Sequence, residues 1–136
     1  MRCVIAGSRS ILSYDVVCEA IKASGYNITV VISGRAPGVD TLGERFANEH
    51  GIPIEPYVAR WRDANGVYDR GAGIKRNIEM ARVADCAVIV WDGHSNGSKN
   101  MIENMKKQNK PYFVYVYTAP EVKSQEDNLW ELIYEV

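Results

Sequence analysis

Two alternating periodicities govern what this chain can fold into. Five short apolar runs, at 2–6 (RCVIA), 28–32 (ITVVI), 54–58 (IEPYV), 86–91 (CAVIVW) and 112–117 (YFVYVY), are separated by longer stretches whose apolar residues recur at helical spacing. Short runs rich in β-branched and aromatic residues mark parallel strands buried on both faces. Pro56 interrupts the third run, which is therefore expected near an edge of the sheet. Helices are expected over 13–24, stopped by Gly25; over 39–50, stopped by Gly51 and Pro53; over 72–83; and over 98–108, with a last short helix over 128–134. This alternation predicts an α/β fold, a Rossmann-like three-layer sandwich in which right-handed crossovers place helices on both faces of a five-stranded, mostly parallel sheet. No linker, repeat or low-complexity segment breaks the pattern, so residues 1–136 are expected to form one domain whose core needs no disulfide staples.

Charge and composition narrow the partners. The formal net charge is −1, without the basic excess that duplex binding through phosphates usually demands, so a large nucleic-acid footprint is disfavoured. Cys3, Cys18 and Cys86 lie in apolar stretches at no metal-ligand or CxxC spacing and are expected to be buried small hydrophobes in a reducing, cytoplasmic setting. His50 and His94 are the only histidines, which excludes a multi-histidine metal site. No metal or resident cofactor is expected. The N-terminal apolar run is too short for a signal peptide, and no stretch approaches the roughly 20 apolar residues of a membrane span.

In open α/β sheets ligands bind beyond the carboxyl ends of the strands, so the chemistry is sought in the loops that follow them. The first strand is followed by Gly7-Ser8-Arg9-Ser10, where glycine admits close backbone approach, the serines donate hydrogen bonds and Arg9 suits a phosphate. The second is followed by Ser33-Gly34-Arg35-Ala36-Pro37-Gly38-Val39-Asp40, with the composition of a phosphate-cradling loop but not the Gly-Lys-Ser/Thr ending of a Walker A loop. Asp40 is expected either to accept from ribose hydroxyls or to complement the helix dipole. The fourth is followed by Asp92-Gly93-His94-Ser95-Asn96-Gly97-Ser98. Three polar, glycine-containing loops, each at a helix start and on one sheet edge, converge on one site. Trp61, in the aperiodic segment 59–73, is expected either to stack on a base or to anchor a lid. Lys75, Arg76 and Asn77 add charge and polarity at the third helix.

In this order the three loops, with Arg76-Asn77 and Ala84-Asp85, resemble the SLOG superfamily, and within it the YspA-like branch. The resemblance spans residues 3 to about 117. It implies a Rossmann-like fold, a nucleotide-type ligand and a homo-oligomer, dimeric or higher. Ser33, Gly34, Ala36, Gly38 and Asp40 resemble the Ser-Gly-x-Ala-x-Gly-x-Asp loop of DNA-processing protein A, and Arg76-Asn77 its Arg-Asn pair. Arg76, Gly97 and Ser98 also match positions of the LOG phosphoribohydrolases. The glutamate of that family falls here at Met101, and Glu103, two residues on, is rotated about 200° around the helix.

The ligand site is therefore expected to include Gly7, Ser8, Arg9, Ser33, Gly34, Arg35, Gly38, Val39, Asp40, Arg76, Asn77, Asp92, Gly93, Ser95, Gly97 and Ser98, with Trp61 beside the base. The first reading is a nucleotide sensor or sequestering protein. The second is a nucleotide N-glycosidase, for which Asp40, Asp92 and Glu103 are the candidate catalysts. The third is a binder of single-stranded DNA. Gly38→Val is expected to block the ligand while leaving the protein folded.

Overall fold

The computed structural model describes residues 1–118. The helix expected over 128–134 lies outside the described residues. Five strands, β1 (Arg2–Gly7), β2 (Val30–Ser33), β3 (Ile54–Pro56), β4 (Cys86–Trp91) and β5 (Tyr112–Val116), alternate with four helices, α1 (Tyr14–Ser24), α2 (Val39–Glu49), α3 (Ala72–Val83) and α4 (Asn96–Lys107). All strand pairs are parallel, in the order β3-β2-β1-β4-β5. The expected α/β architecture is the one observed, with a sheet that is wholly rather than mostly parallel. β3 is an edge strand. It ends at Pro56, paired opposite Ser33, with Tyr57 N donating the last rung to Ser33 O at 2.7 Å, and the N–H that proline lacks would face the open edge, where no ladder partner stands.

Successive side chains of a strand face opposite sides, and here both sides are covered. Cys3 and Ile5 of β1 join Val31 of β2 and Val88 and Val90 of β4 beneath Val16, Val17, Ala20 and Ile21 of α1 and Val39 and Ala47 of α2. Val4, Ala6, Ile32, Ala87 and Ile89 point the other way, against Met80 and Ala81 of α3 and Met101, Ile102 and Met105 of α4. The cysteine expectation holds in part: Cys3 and Cys86 are buried, whereas Cys18 is only partly so. Ser13 caps α1, its Oγ accepting from Val16 N at 3.4 Å, and Gly25 closes it. α4 begins at Asn96, two residues earlier than apolar spacing indicates, because its first turn is polar. Among the described residues, no helix is long and apolar enough to cross a membrane.

The order 3-2-1-4-5 reverses direction at β1. The chain leaves β1 toward β2 on one side and returns to β4 on the other, so the loops after these strands diverge and leave a crevice between them.

Candidate functional site

A cavity of about 590 Å³ occupies that crevice. Its floor is Ala6 and Gly7 at the end of β1. One wall is the face of α3 carrying Gly73, Arg76, Asn77 and Met80, residues three or four apart and hence on one side of the helix. Ser95 and the first turns of α4 form the opposite wall, with Asn96, Gly97, Ser98, Asn100 and Met101. Arg9, Ser10, Ala36, Asp40, Trp61, Arg70, Ile74 and Asp92 complete the lining.

The two carboxylates of the cavity live in opposite environments. Asp40, at the start of α2, is only 4 % exposed, and its Oδ2 accepts from Ala36 N at 3.3 Å. Burial pushes its pKa up to about 6, against the opposing pull of the Ala36 N–H, Arg76, the Gly7 N–H and Arg9. Asp92 is held down at about 2, chiefly by the Ser95 N–H, with help from the His94 N–H and the hydroxyls of Ser95 and Ser8. Its Oδ1 accepts from the backbones of His94 and Ser95, both at 2.8 Å, and its Oδ2 from Ser95 Oγ at 2.9 Å. It thus builds the turn into α4.

Arg76 reaches across from α3 to the end of β2, where its Nη1 donates to Gly34 O at 2.9 Å. Gly34 makes this possible: a Cβ there would lie 2.8 Å from Asp40 Oδ2 and 3.1 Å from the Arg76 guanidinium carbon. Burial lowers the Arg76 pKa, Asp40 opposes that, and Arg9 adds to it. Arg76 Nε and Ser98 Oγ are buried polar atoms without a hydrogen-bond partner. The backbone N–H groups of Asn96, Gly97 and Ser98, the unpaired first turn of α4, also find no acceptor among the described residues. Asn77 ties the two walls together through Nδ2, which donates to Gly97 O at 3.2 Å and Asn100 Oδ1 at 3.1 Å.

Of the residues expected from sequence, Gly7, Arg9, Asp40, Trp61, Arg76, Asn77, Asp92, Ser95, Gly97 and Ser98 line this cavity. Others stand behind it. Ser8 is buried, and its Oγ accepts from Asp92 N at 2.9 Å and lies 3.0 Å from Ser95 Oγ. Ser33 Oγ donates to Glu44 Oε2 at 2.9 Å, and Arg35, at φ 55°, lies 3.7 Å from Glu44 Oε1. Val39 is fully buried in the α1–α2 core. Gly34 and Gly93 are outside the lining. Lys75 pairs with Asp69 at 2.7 Å, away from the cavity. Glu103 is exposed and outside it, whereas Met101 is buried and in it.

Gly38 does not line the cavity either. At φ 80° it packs against the first loop, and a Cβ there would lie 2.6 Å from the carbonyl oxygens of Ser8 and Arg9. The expectation that Gly38→Val spares the fold is therefore corrected, because valine would have to drive two backbone segments apart.

Arg70, Ile74, Met80, Asn96 and Asn100 are lining residues absent from the expected site. Helical spacing from Arg76 and Asn77 points to Gly73 and Met80; no motif points to Arg70. It ends a hairpin-like segment in which Arg62 and Tyr68 bridge antiparallel, Asp69 N donates to Trp61 O at 2.6 Å, and the Trp61 and Tyr68 rings stack 6.1 Å apart. Among the described residues, no three His, Cys, Asp or Glu side chains gather as metal ligands.

Residues 1–63 match the family model of the YspA, cpYpsA-related SLOG family. The SLOG resemblance read from the motifs is thereby borne out. The matched segment holds the first two glycine-containing loops of the site. An X-ray structure of DNA processing protein A (DprA) from Streptococcus pneumoniae is similar in fold, with a TM-score of 0.68 at 17% sequence identity. The likeness covers 98% of this chain and 56% of that one, so the chain spans little more than half of its structural neighbour. No curated protein matches the chain.

Proposed function

We propose that the chain binds a nucleotide or nucleotide-derived small molecule in this cavity, as a sensor or sequestering protein. The observation that carries this reading is the pair of buried donors without acceptors, Arg76 Nε and Ser98 Oγ, on two walls of one cavity. A buried donor left unpaired costs about 1–3 kcal/mol, a cost an anionic ligand relieves. The unpaired start of α4 offers further N–H groups of the kind that bind phosphate. Ile74, Met80 and Met101 give an apolar wall for a base, with Trp61 at the rim. Asp40 and Asp92 are acceptors for sugar hydroxyls. The volume lies in the range usual for small-molecule sites.

Mass spectrometry of the small molecules released when the purified protein is denatured tests this. An intact nucleotide is expected. Release of none, together with no calorimetric response to any common nucleotide, overturns it.

One observation favours a second reading, a nucleotide N-glycosidase. Asp40 and Asp92 share a cavity with pKa values pushed apart to about 6 and about 2, the arrangement that divides acid from base roles between two carboxyls. Asp40 would protonate the leaving base and Asp92 would stay ionised near the sugar. Free base and sugar phosphate would then accumulate on incubation with a nucleotide, and Asp40→Asn would abolish both. For the homo-oligomer implied by the resemblance, the exposed Ile74 and Ile78 of α3 offer a contact face, and sedimentation equilibrium measures the state.

A further inference from the structure

Three asparagine amides meet where α3 packs on α4, and their hydrogen bonds fix which way each one faces. Asn77 Nδ2 donates to Gly97 O and to Asn100 Oδ1, and Asn104 Nδ2 donates to Asn100 O at 3.0 Å and to Asn100 Oδ1 at 3.1 Å. A backbone carbonyl only accepts, so Gly97 O and Asn100 O oblige Asn77 and Asn104 to present their amino groups. Both amino groups then meet the same atom of the Asn100 side chain, which must be its oxygen. The Asn100 amino group is left over, and so is Asn77 Oδ1. Neither has a hydrogen-bond partner among the described residues, and neither is sealed from solvent as Arg76 Nε and Ser98 Oγ are.

Asparagines elsewhere, such as Asn48 and Asn65, are exposed, and water satisfies their amides. Asn77 is 6 % exposed and Asn100 is half-buried, and both line the cavity. Neither amide turns over without giving up two hydrogen bonds, so the acceptor of the one and the donor of the other are held in place. Asn104 is buried and outside the lining, and it braces Asn100 from behind. Ile74 and Met80 stand three residues to either side of Asn77 on α3, and Met101 follows Asn100 on α4; all three line the cavity. An ionised phosphate offers only acceptors, so Asn77 Oδ1 calls for an N–H or O–H on the neutral part of the ligand. Its apolar neighbours are the wall assigned above to a base.

We infer that Asn77 and Asn100 read the hydrogen-bonding edge of the ligand's base, Asn77 Oδ1 accepting from an N–H of the base and Asn100 Nδ2 donating to a ring nitrogen or carbonyl oxygen. This rests on the nucleotide reading above and adds base discrimination to it. Asn100 is then a specificity-determining residue, and Asn104 a positioning residue that acts through it.

Asn100→Asp keeps the oxygen that Asn77 and Asn104 use and replaces the unused donor by an acceptor. Its urea midpoint is expected within about 0.3 M of the parent, whereas Asn104→Asp, which loses both donations, is expected to fall by at least about 1 M. An Asn100→Asp midpoint lowered as far as that of Asn104→Asp overturns the orientation of the amides and the inference with it. Titration calorimetry with AMP, GMP, CMP and UMP, at one fixed ionic strength in metal-free buffer, reads the base contact. The parent is expected to separate its best from its worst base by at least about tenfold, and Asn100→Asp to change that ratio by at least about tenfold, since an acceptor then faces an acceptor. The charge of the new aspartate weakens all four nucleotides alike, because they share one sugar and phosphate, and it cancels in the ratio. Equal affinity of the parent for all four overturns the inference and leaves the nucleotide reading in place. Ratios untouched by Asn100→Asp, or loss of all four together, place Asn100 at the sugar or phosphate and likewise overturn it. No binding of any of the four by the parent overturns the inference and the nucleotide reading together.

Discussion

Replacing Asp40 with asparagine is expected to stabilise this protein at neutral pH and to leave its stability unchanged in acid. Asp40 is 4 % exposed, and its pKa rises from the ordinary 3.8 to about 6 because burial outweighs the favourable field of Arg76 and Arg9. The folded state therefore holds a proton on this carboxyl that the unfolded chain has already released. Between about pH 4 and pH 6 the native state binds more protons, so stability falls as pH rises through that window. A shift of about two units corresponds to roughly 3 kcal/mol, fully present as a cost above about pH 7. The asparagine side chain is close in shape to the protonated acid and keeps an oxygen for Ala36 N. Urea unfolding of both proteins at several pH values isolates the effect, since every other carboxyl titrates in both. The difference is expected near zero at about pH 4 and near 3 kcal/mol in favour of Asp40→Asn above about pH 7, or about 2 M in urea midpoint at a slope of about 1.5 kcal/mol/M. A difference that does not change with pH, or an asparagine variant less stable at pH 7.5, refutes the account of Asp40 as a buried charge held at a cost to the fold. A stabilised variant that no longer binds nucleotide would show what that cost sustains.

Three further outcomes follow from the same geometry. Ser98→Ala removes a buried hydroxyl without a partner, so unfolding of the free protein is expected to be unchanged or about 1 kcal/mol more difficult, while calorimetry shows nucleotide affinity about tenfold weaker. Gly38→Ala forces a side chain onto φ 80° and into two carbonyl oxygens, and is expected to cost at least about 2 kcal/mol in urea unfolding. Asp92→Ala strips three hydrogen bonds from the turn into α4 and is expected to cost about 1–2 kcal/mol at pH 7. Because the Asp92 pKa is lowered to about 2, that contribution is present above the ordinary 3.8 and fades as pH falls toward 2, so stability curves of Asp92→Ala and the parent are expected to converge in acid.

The layered fold was legible because it rests on local patterns. Cys3 and Ile5 pack under α1 and α2 while Val4 and Ala6 pack under α3 and α4, which is why the strand runs carry no polar alternation. Element ends were less so. β2 begins at Val30 rather than 28, and β3 stops at Pro56 rather than 58, because ladder partners, not hydrophobicity, set those limits. The edge at which the cavity opens was legible from three loops, but the residues that line it were not. Arg70 belongs to no motif and reaches the cavity only because the 59–73 segment folds back on itself through the Arg62–Tyr68 bridge.

Three serines show where sequence reading stops and what structure adds. Ser8, Ser33 and Ser98 each end or follow a strand, each has a glycine beside it, and each is 5 % exposed or less. In sequence they are equivalent phosphate donors. Ser8 Oγ is engaged with Asp92 N, 84 residues away, and Ser33 Oγ with Glu44, 11 residues on. Such partners are brought together by folding, and no local spacing announces them. Ser98 Oγ has none. Burial without a partner is costly, so the serine that the protein leaves unsatisfied is the one with a reason to wait for a ligand. The same holds for the arginines, where Arg35 is spent on Glu44 and Arg76 Nε is not. Unsatisfied hydrogen-bonding capacity, rather than residue type or motif position, therefore separates the groups assigned to the proposed ligand from those that brace the loops behind them.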